Sequence, residues 1–255
     1  MEIEEYEHGV PSWVDLSAPD LPAARAFYGD LFGWDVPEGP PEAGGYSLAL
    51  VRGKPVAGIG PQMNPDAPPA WMTYVNVDDA DKVAAAVVSA GGQMLVPPMD
   101  VMDVGRMGIL ADPAGAVVGI WQPRTHKGAL IVNEPNTLCW NELVTTDVPG
   151  ATAFYASVFG WAAEPLGDPP AYYEWRLGGR TIGGLMAKPA EMPAEVPPHW
   201  GTYFAVVDTD RTVERIRELG GAVMMGPTDI EPGRFAVAAD PAGATFNVIA
   251  LKSAA

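Results

Sequence analysis

Two carboxylates occur in the same setting at two places along the chain. Asp15 follows Trp13 by two positions, and Glu142 follows Trp140 by two. Residues two apart on a β-strand point to the same face, so each pair directs an indole and a carboxylate to one surface. Apolar surroundings disfavour the charged carboxylate and raise its pKa toward neutral pH, where it can exchange protons. The spacing therefore indicates acid–base chemistry, or hydrogen bonding to a ligand hydroxyl, at Asp15 and Glu142.

The same carboxylates have a purely structural alternative. Each could pair with Arg106 or Arg234, or with backbone donors, and serve only to hold strands together. The sequence leaves these two roles open.

The chain repeats itself at an offset of 127 residues, which separates Trp13 from Trp140 and Asp20 from Asp147. The later motif Asp-Pro-Ala-Gly occurs at 112–115 and again at 240–243. Each half reads as strand, helix and three strands, done twice. We therefore predict two domains, at residues 8–122 and 134–251, joined by a linker at 123–133.

Composition limits the classes of partner. The chain has 255 residues, 48% of them hydrophobic and 18% charged, which is typical of a globular protein. Its formal net charge of −17 opposes binding to nucleic acid or to an anionic membrane surface. The single cysteine, Cys139, cannot form an internal disulfide. We expect neither nucleic acid nor membrane as a partner, and a monomer or homodimer.

The N-terminal stretch is acidic and lacks the positive region and apolar run of a secretory signal. No later stretch reaches the roughly 18 apolar residues of a membrane helix. A cytoplasmic location is the default expectation.

A βαβββ unit used four times resembles the vicinal oxygen chelate superfamily. The residues that carry the resemblance are the Asp before each first helix, the Phe-Gly-Trp after it (32–34 and 159–161) and the Asp-Pro-x-Gly before each last strand. That superfamily includes glyoxalase I, extradiol dioxygenases and bleomycin-binding resistance proteins. The resemblance implies an α+β fold with two tandem domains. Each would be a pair of βαβββ units forming a cupped eight-stranded mixed sheet, with helices outside and the site inside the cup.

Metal enzymes of this superfamily usually carry His on the first and fifth strands and Glu on the last, ligands that suit a divalent metal. The matching positions here are Trp13, Met72 and Gly119 in the first domain and Trp140, Gly201 and Asn247 in the second. None of these is a His or a carboxylate. We therefore predict no metal centre, and we predict no cofactor.

The resemblance also implies which side chains line the cups. The candidate ligand-binding residues are Trp13, Met72, Tyr74 and Trp121 in the first cup and Trp140, Tyr203 and Asn247 in the second. Walls that are mostly apolar, with few polar groups, are usual for a small-molecule pocket. The expected partner is a hydrophobic or aromatic small molecule.

These features favour a small-molecule-binding protein that acts without a metal, by acid–base chemistry at Asp15 and Glu142, on an apolar or aromatic secondary metabolite. A lyase or isomerase type of reaction would fit. The alternative is a non-catalytic protein that sequesters such a compound, as the bleomycin-binding relatives do. A metal-dependent glyoxalase or dioxygenase is disfavoured because the ligand residues are missing.

Overall fold

The computed structural model describes residues 1–167 and 172–252. The first half forms β1 (Pro11–Ala18), α1 (Leu21–Phe32), a short 3-10 helix (Pro41–Ala43), β2 (Ser47–Val51), β3 (Lys54–Pro61), β4 (Ala70–Asn76), α2 (Ala80–Ser89), β5 (Gln93–Val101), β6 (Gly105–Ala111) and β7 (Val117–Pro123). The second half forms β8 (Leu138–Thr145), α3 (Val148–Phe159), β9 (Ala162–Leu166), β10 (Tyr172–Leu177), β11 (Arg180–Ala187), β12 (His199–Ala205), α4 (Thr209–Glu218), β13 (Ala222–Ile230), β14 (Gly233–Ala239) and β15 (Thr245–Leu251).

Each half builds its own mixed sheet. The first has seven strands in the order β2-β3-β1-β4-β7-β6-β5, and the second has eight in the order β13-β14-β15-β12-β8-β11-β10-β9. The two βαβββ units of each half join through antiparallel pairs, β1 with β4 and β8 with β12. The predicted α+β class with two tandem domains is confirmed, and the units pair within each half. The boundaries at 8–122, 123–133 and 134–251 stay predictions.

The first sheet lacks the eighth strand that the resemblance implied. Strand β9 follows α3 in the second half, whereas the chain after α1 makes only an isolated bridge between Asp35 and Leu50. Three prolines, at 37, 40 and 41, fall in this stretch. Proline has no N–H to donate to a strand ladder, so this stretch offers fewer ladder donors than β9, which contains the single proline Pro165.

The first helix of each half has the ends that the sequence predicts. Asp20 caps α1, where its Oδ1 accepts a hydrogen bond from the N–H of Ala23 at 3.0 Å. Asp147 caps α3 in the same way through Gly150. Gly33 and Gly160 end the two helices in the left-handed conformation, which glycine adopts without a steric penalty.

The helices pack in pairs across the two halves, α1 with α4 and α2 with α3. One buried cluster accordingly joins α1 to β12, β15 and α4, and a second joins α2 to α3 and β8. The outer faces of both sheets are thereby covered, so the opposite faces remain for the cups.

Equivalent hydrogen bonds connect the two halves of the chain within these two buried clusters. The hydroxyl of Tyr28 donates to Asp240 Oδ2 at 3.1 Å and accepts from the indole of Trp71 at 2.9 Å. Tyr155 donates to Asp112 at 3.3 Å in the mirrored position. The other oxygen of each of these aspartates accepts backbone N–H groups of its own turn, at 2.9 Å. The Asp of Asp-Pro-Ala-Gly therefore shapes a turn and also ties one half to the other.

None of the helices in residues 1–167 and 172–252 combines the length and the apolar character needed to cross a membrane.

Candidate functional site

Strand alternation separates the candidate site residues from the core. On β8, Leu143 belongs to the buried core, and Asn141 accepts a hydrogen bond from Thr73 of the first half at 2.7 Å. Trp140 and Glu142 alternate with these residues along the strand and therefore point to the opposite face of the sheet. Alternation on β1 likewise sends Val14 and Leu16 to the core and Trp13 and Asp15 to the cup.

In the second cup, Glu142 lies between two tyrosines. The Tyr203 hydroxyl donates to Glu142 Oε1 at 2.9 Å, and the nearby Tyr172 hydroxyl lowers the pKa of the same carboxyl group. The indole Nε1 of Trp140 donates to the Tyr172 hydroxyl at 2.8 Å. Burial raises the pKa of Glu142, which is 8% exposed, and the two tyrosine hydroxyls offset part of that rise.

The first cup repeats this network with Asp15. The indole Nε1 of Trp13 donates to the Tyr46 hydroxyl at 2.9 Å, and that hydroxyl donates to Asp15 Oδ2 at 3.0 Å. The Tyr74 hydroxyl lies near the same carboxyl group and also lowers its pKa. Desolvation raises the pKa of Asp15 to about 7 against the opposing effect of both tyrosines. At that pKa the carboxyl group can take up or release a proton at neutral pH.

The tyrosines of both cups remain protonated donors. Burial, followed by the neighbouring carboxylate, raises the pKa of Tyr46, Tyr74 and Tyr203 well above the ordinary value. The pKa of Tyr172 is raised for the same reasons. Each cup therefore offers one titratable carboxyl group held by two fixed phenol donors.

Tyr46 and Tyr172 are the site residues that the sequence analysis missed. Tyr46 lies just before β2 and Tyr172 begins β10, so neither belongs to the strand that carries the Trp and the acid. The glycines beneath these tyrosines, Gly58 and Gly184, could have pointed to them. A Cβ at Gly58 would lie 1.9 Å from the Tyr46 hydroxyl, and a Cβ at Gly184 would lie 1.9 Å from the Tyr172 hydroxyl. Only glycine leaves room for a tyrosine over that strand.

The remaining predicted residues differ in their surroundings. Trp121 is buried with Trp13 and Tyr74, and Met72 packs against this group. Asn247 donates through Nδ2 to the carbonyl of Thr202 at 3.2 Å and is nearly buried.

The segment 124–133 covers one end of the first cup. The His126 ring lies 4.4 Å from the Trp13 ring and 5.5 Å from the Trp121 ring, centroid to centroid, and its carbonyl accepts from the Trp121 indole at 2.9 Å. Burial lowers the pKa of His126 to about 4, so the imidazole is neutral. Ala129 joins the same cluster.

The two arginines that the sequence offered as partners of the carboxylates lie elsewhere. Arg106 forms ion pairs with Asp81 and Asp100, and Arg234 pairs with acids on α4 and β13. The alternative that Asp15 and Glu142 pair with these arginines is therefore wrong, because the arginines are engaged by surface acids next to β6 and β14.

At the six positions that would hold a metal in this fold, the side chains do not form a set that could coordinate a metal ion. Gly119 leaves space for the Tyr74 ring, since a Cβ there would lie 2.2 Å from it, and Gly201 contributes no side chain. Indole, thioether and amide groups complete the set, and these do not suit a divalent cation. Among residues 1–167 and 172–252, no three His, Cys, Asp or Glu side chains form a cluster able to hold a metal ion.

The family model of the Glyoxalase/Bleomycin resistance protein/Dioxygenase superfamily matches residues 11–120 and again residues 132–248. The chain belongs to this superfamily. Curated relatives within it include "Putative glyoxylase CFP32" of Mycobacterium tuberculosis (strain CDC 1551 / Oshkosh), 45% identical over 96% of both chains. "Anthracycline biosynthesis protein DnrV" of Streptomyces peucetius is 38% identical over 96% of this chain and 94% of that protein.

Solved structures of the superfamily share the fold at low identity. The Mn(II)-bound glyoxalase from Novosphingobium aromaticivorans has a TM-score of 0.67 at 17% identity, covering 96% of this chain and 84% of that one. The 2,3-dioxygenase LapB from Pseudomonas sp. KL28 has a TM-score of 0.66 at 16% identity, covering 96% and 93%. At these identities the likeness concerns the fold alone.

Proposed function

We propose that this protein binds an apolar or aromatic small molecule and converts it by acid–base chemistry, without a metal, at a carboxyl group held between two tyrosines. The observation that carries the proposal is the duplicated network of Trp, Tyr, carboxyl and Tyr, in which desolvation raises the pKa of both Asp15 and Glu142. A general acid or base works best when its pKa is near the working pH.

The flanking phenols give the carboxyl group a defined partner on each side. A tyrosine hydroxyl that donates to the carboxylate can donate to a ligand oxygen instead when the carboxyl group is protonated. The aromatic wall of the second cup, Trp140 with Tyr172, offers a surface on which a planar ligand can stack. Binding and proton transfer would therefore occur at adjacent atoms.

Two further facts support this reading. The positions that hold a metal in other members of the fold have no suitable donors here, so a proton-transfer mechanism relies only on groups that are present. In addition, one close relative is named as an anthracycline biosynthesis protein, which favours a polycyclic aromatic metabolite as the substrate class.

The test is to incubate the protein with a panel of planar hydroxylated aromatic compounds and to follow both chromatographic retention time and mass. A changed product supports catalysis, and its loss in Asp15→Asn or Glu142→Gln assigns the group responsible. If both variants convert the compounds as fast as the native protein, the acid–base proposal fails.

Sequestration is the second candidate. Each network is held by hydrogen bonds within the protein, and an aromatic wall alone is enough to bind a planar compound. A compound that is retained tightly and recovered unchanged would favour this function.

A further inference from the structure

The first domain contains a slot between β1 and β3 that the chain itself fills. The N–H of Ala129 donates to the carbonyl of Ser12 on β1, and the N–H of Leu130 donates to the carbonyl of Pro55 on β3, both at 2.8 Å. Tyr6 fixes this segment by donating its hydroxyl to the carbonyl of Ala129 at 2.6 Å. The same segment carries His126 over Trp13, which is only 4% exposed.

The corresponding slot of the second domain lies between β8 and β11. Cys139 corresponds to Ser12, since each is the residue at a bulge just before the Trp, and Thr181 corresponds to Pro55, since each is the second residue after the hairpin turn. No segment of the described chain bridges Cys139 and Thr181 through its backbone N–H groups. Instead, a groove of about 380 Å³ lies there, bordered on one side by Cys139, Trp140, Thr181 and Ile182 and on the other by residues between 1 and 11 of the N-terminal segment, with Glu5, Glu7 and Arg180 at its edge.

Trp140 reflects this difference. It is partly exposed, whereas its counterpart Trp13 is buried under the segment 124–133. Its indole Nε1 donates to the Tyr172 hydroxyl, which lowers the pKa of Glu142. Trp140 therefore separates the groove from the carboxyl group of the second cup.

We propose that this groove is a binding subsite for a planar aromatic ring that carries a hydroxyl group, and that it takes the place of the segment 126–130 of the first domain. The inference rests on the proposed function, because it places part of the same ligand outside the second cup. It confines ligand binding to the second domain.

The chemistry of the ligand follows from what fills the first slot. An uncharged aromatic ring, the His126 imidazole, packs edge-on against Trp13, so a neutral ring suits Trp140. Backbone N–H donors meet the carbonyls of Ser12 and Pro55, so a donor is needed opposite the carbonyls of Cys139 and Thr181. A phenolic hydroxyl provides one, and an ether does not.

The probe is 2-hydroxyanthraquinone, compared with its 2-methoxy analogue by equilibrium dialysis against the full chain. The hydroxyl compound should bind at least tenfold more tightly than the ether. Cys139→Trp, which fills the groove, should weaken binding at least tenfold. Leu95→Trp adds the same side chain at a half-exposed position on β5, remote from the groove, and should change affinity by less than twofold.

A second variant guards against misfolding of Cys139→Trp. Thr181→Trp places the same side chain at another border of the groove and should also weaken binding at least tenfold. Full affinity in Thr181→Trp, equal affinities of Cys139→Trp and Leu95→Trp, equal binding of the ether, or no binding by the native chain would each overturn the subsite.

The same titration in Glu142→Gln separates this inference from the proposed function. If Glu142→Gln loses conversion while Cys139→Trp keeps full affinity, the subsite is wrong and the proposed function is supported. If Cys139→Trp loses affinity while Glu142→Gln and Asp15→Asn convert at the native rate, the subsite is supported and the proposed function is wrong.

Discussion

The two cups share one polar network but differ in what surrounds it. In the first, the segment 124–133 closes the end at Trp13, and Trp121 and Met72 occupy the interior. In the second, smaller residues, Ile249 and Gly201, stand at the positions of Trp121 and Met72. The groove beside Trp140 lies where the covering segment would be.

Duplication of the polar network has therefore not duplicated the surroundings through which a ligand would reach it. The carboxyl group and its tyrosines persist in both domains, because removing one partner would leave a buried polar group unsatisfied. Access depends on the covering segment and on the size of the wall residues, which can change separately. We therefore expect the second cup to act on the ligand and the first to contribute mainly to stability.

Replacing the two acids one at a time gives the largest expected contrast. Glu142→Gln should lower the conversion rate by about 10²-fold or more, the usual loss when a general acid or base is removed. Asp15→Asn should lower it less than threefold, because the segment 124–133 covers the first cup at Trp13. The measurement is product formation at saturating substrate, with thermal unfolding as the check on folding. Equal losses of conversion in the two variants would show that the two cups contribute equally to the reaction.

Asp15 should instead control how stability depends on pH. Its pKa of about 7 in the folded chain exceeds the ordinary 3.8, so the folded state binds more protons than the unfolded state between these values. Stability therefore falls as pH rises from about 4 to about 7, by up to ~4 kcal/mol, and levels off above that range.

The control is Asp15→Asn, which should remove that share of the pH dependence. Urea unfolding at pH 4, 5.5 and 7 measures it, and the stability of the variant relative to the native protein should increase across the series. A constant difference between the two proteins would show that Asp15 does not titrate in this range.

Equivalent glycine substitutions in the two cups should have smaller effects than loss of the acid. In Gly58→Ala and Gly184→Ala the new Cβ would come within 1.9 Å of the Tyr46 or Tyr172 hydroxyl and displace it. Each should destabilise the protein by about 1–3 kcal/mol, as overpacking usually does. Only Gly184→Ala should also reduce conversion. Calorimetry and a conversion assay on both variants test this, and reduced conversion in Gly58→Ala alone would reverse the assignment.

The smallest expected effect is a shift in a pH profile. The Tyr203 hydroxyl donates to Glu142 and lowers the pKa of that carboxyl group. Tyr203→Phe should therefore raise the pKa seen in the pH–rate profile, whereas Tyr74→Phe in the first cup should leave the profile in place. A downward shift in Tyr203→Phe would mean that another group titrates.

The fold, and the face that each Trp shares with its acid, could be predicted from the sequence for a physical reason. Helix caps such as Asp20 and turn aspartates such as Asp112 act locally, so their repetition reveals the repeated unit. The face shared by Trp140 and Glu142 follows from the period of a single strand.

What the sequence could not reveal depends on register between distant strands. Tyr172 meets Glu142 only because β10 lies beside β11 in one particular register, and Tyr172 and Tyr173 are indistinguishable as candidates in the sequence. The place of His126 over Trp13 depends on the path of a segment that no periodicity describes.

The most direct test is a crystal structure of the full chain soaked with 2-hydroxyanthraquinone. The ring should lie against Trp140 in the second domain, with its hydroxyl directed at the Cys139 or Thr181 carbonyl. His126 should still cover the first cup. A ring bound between Trp13 and Trp121 in the first cup, with the groove beside Trp140 empty, would contradict this prediction.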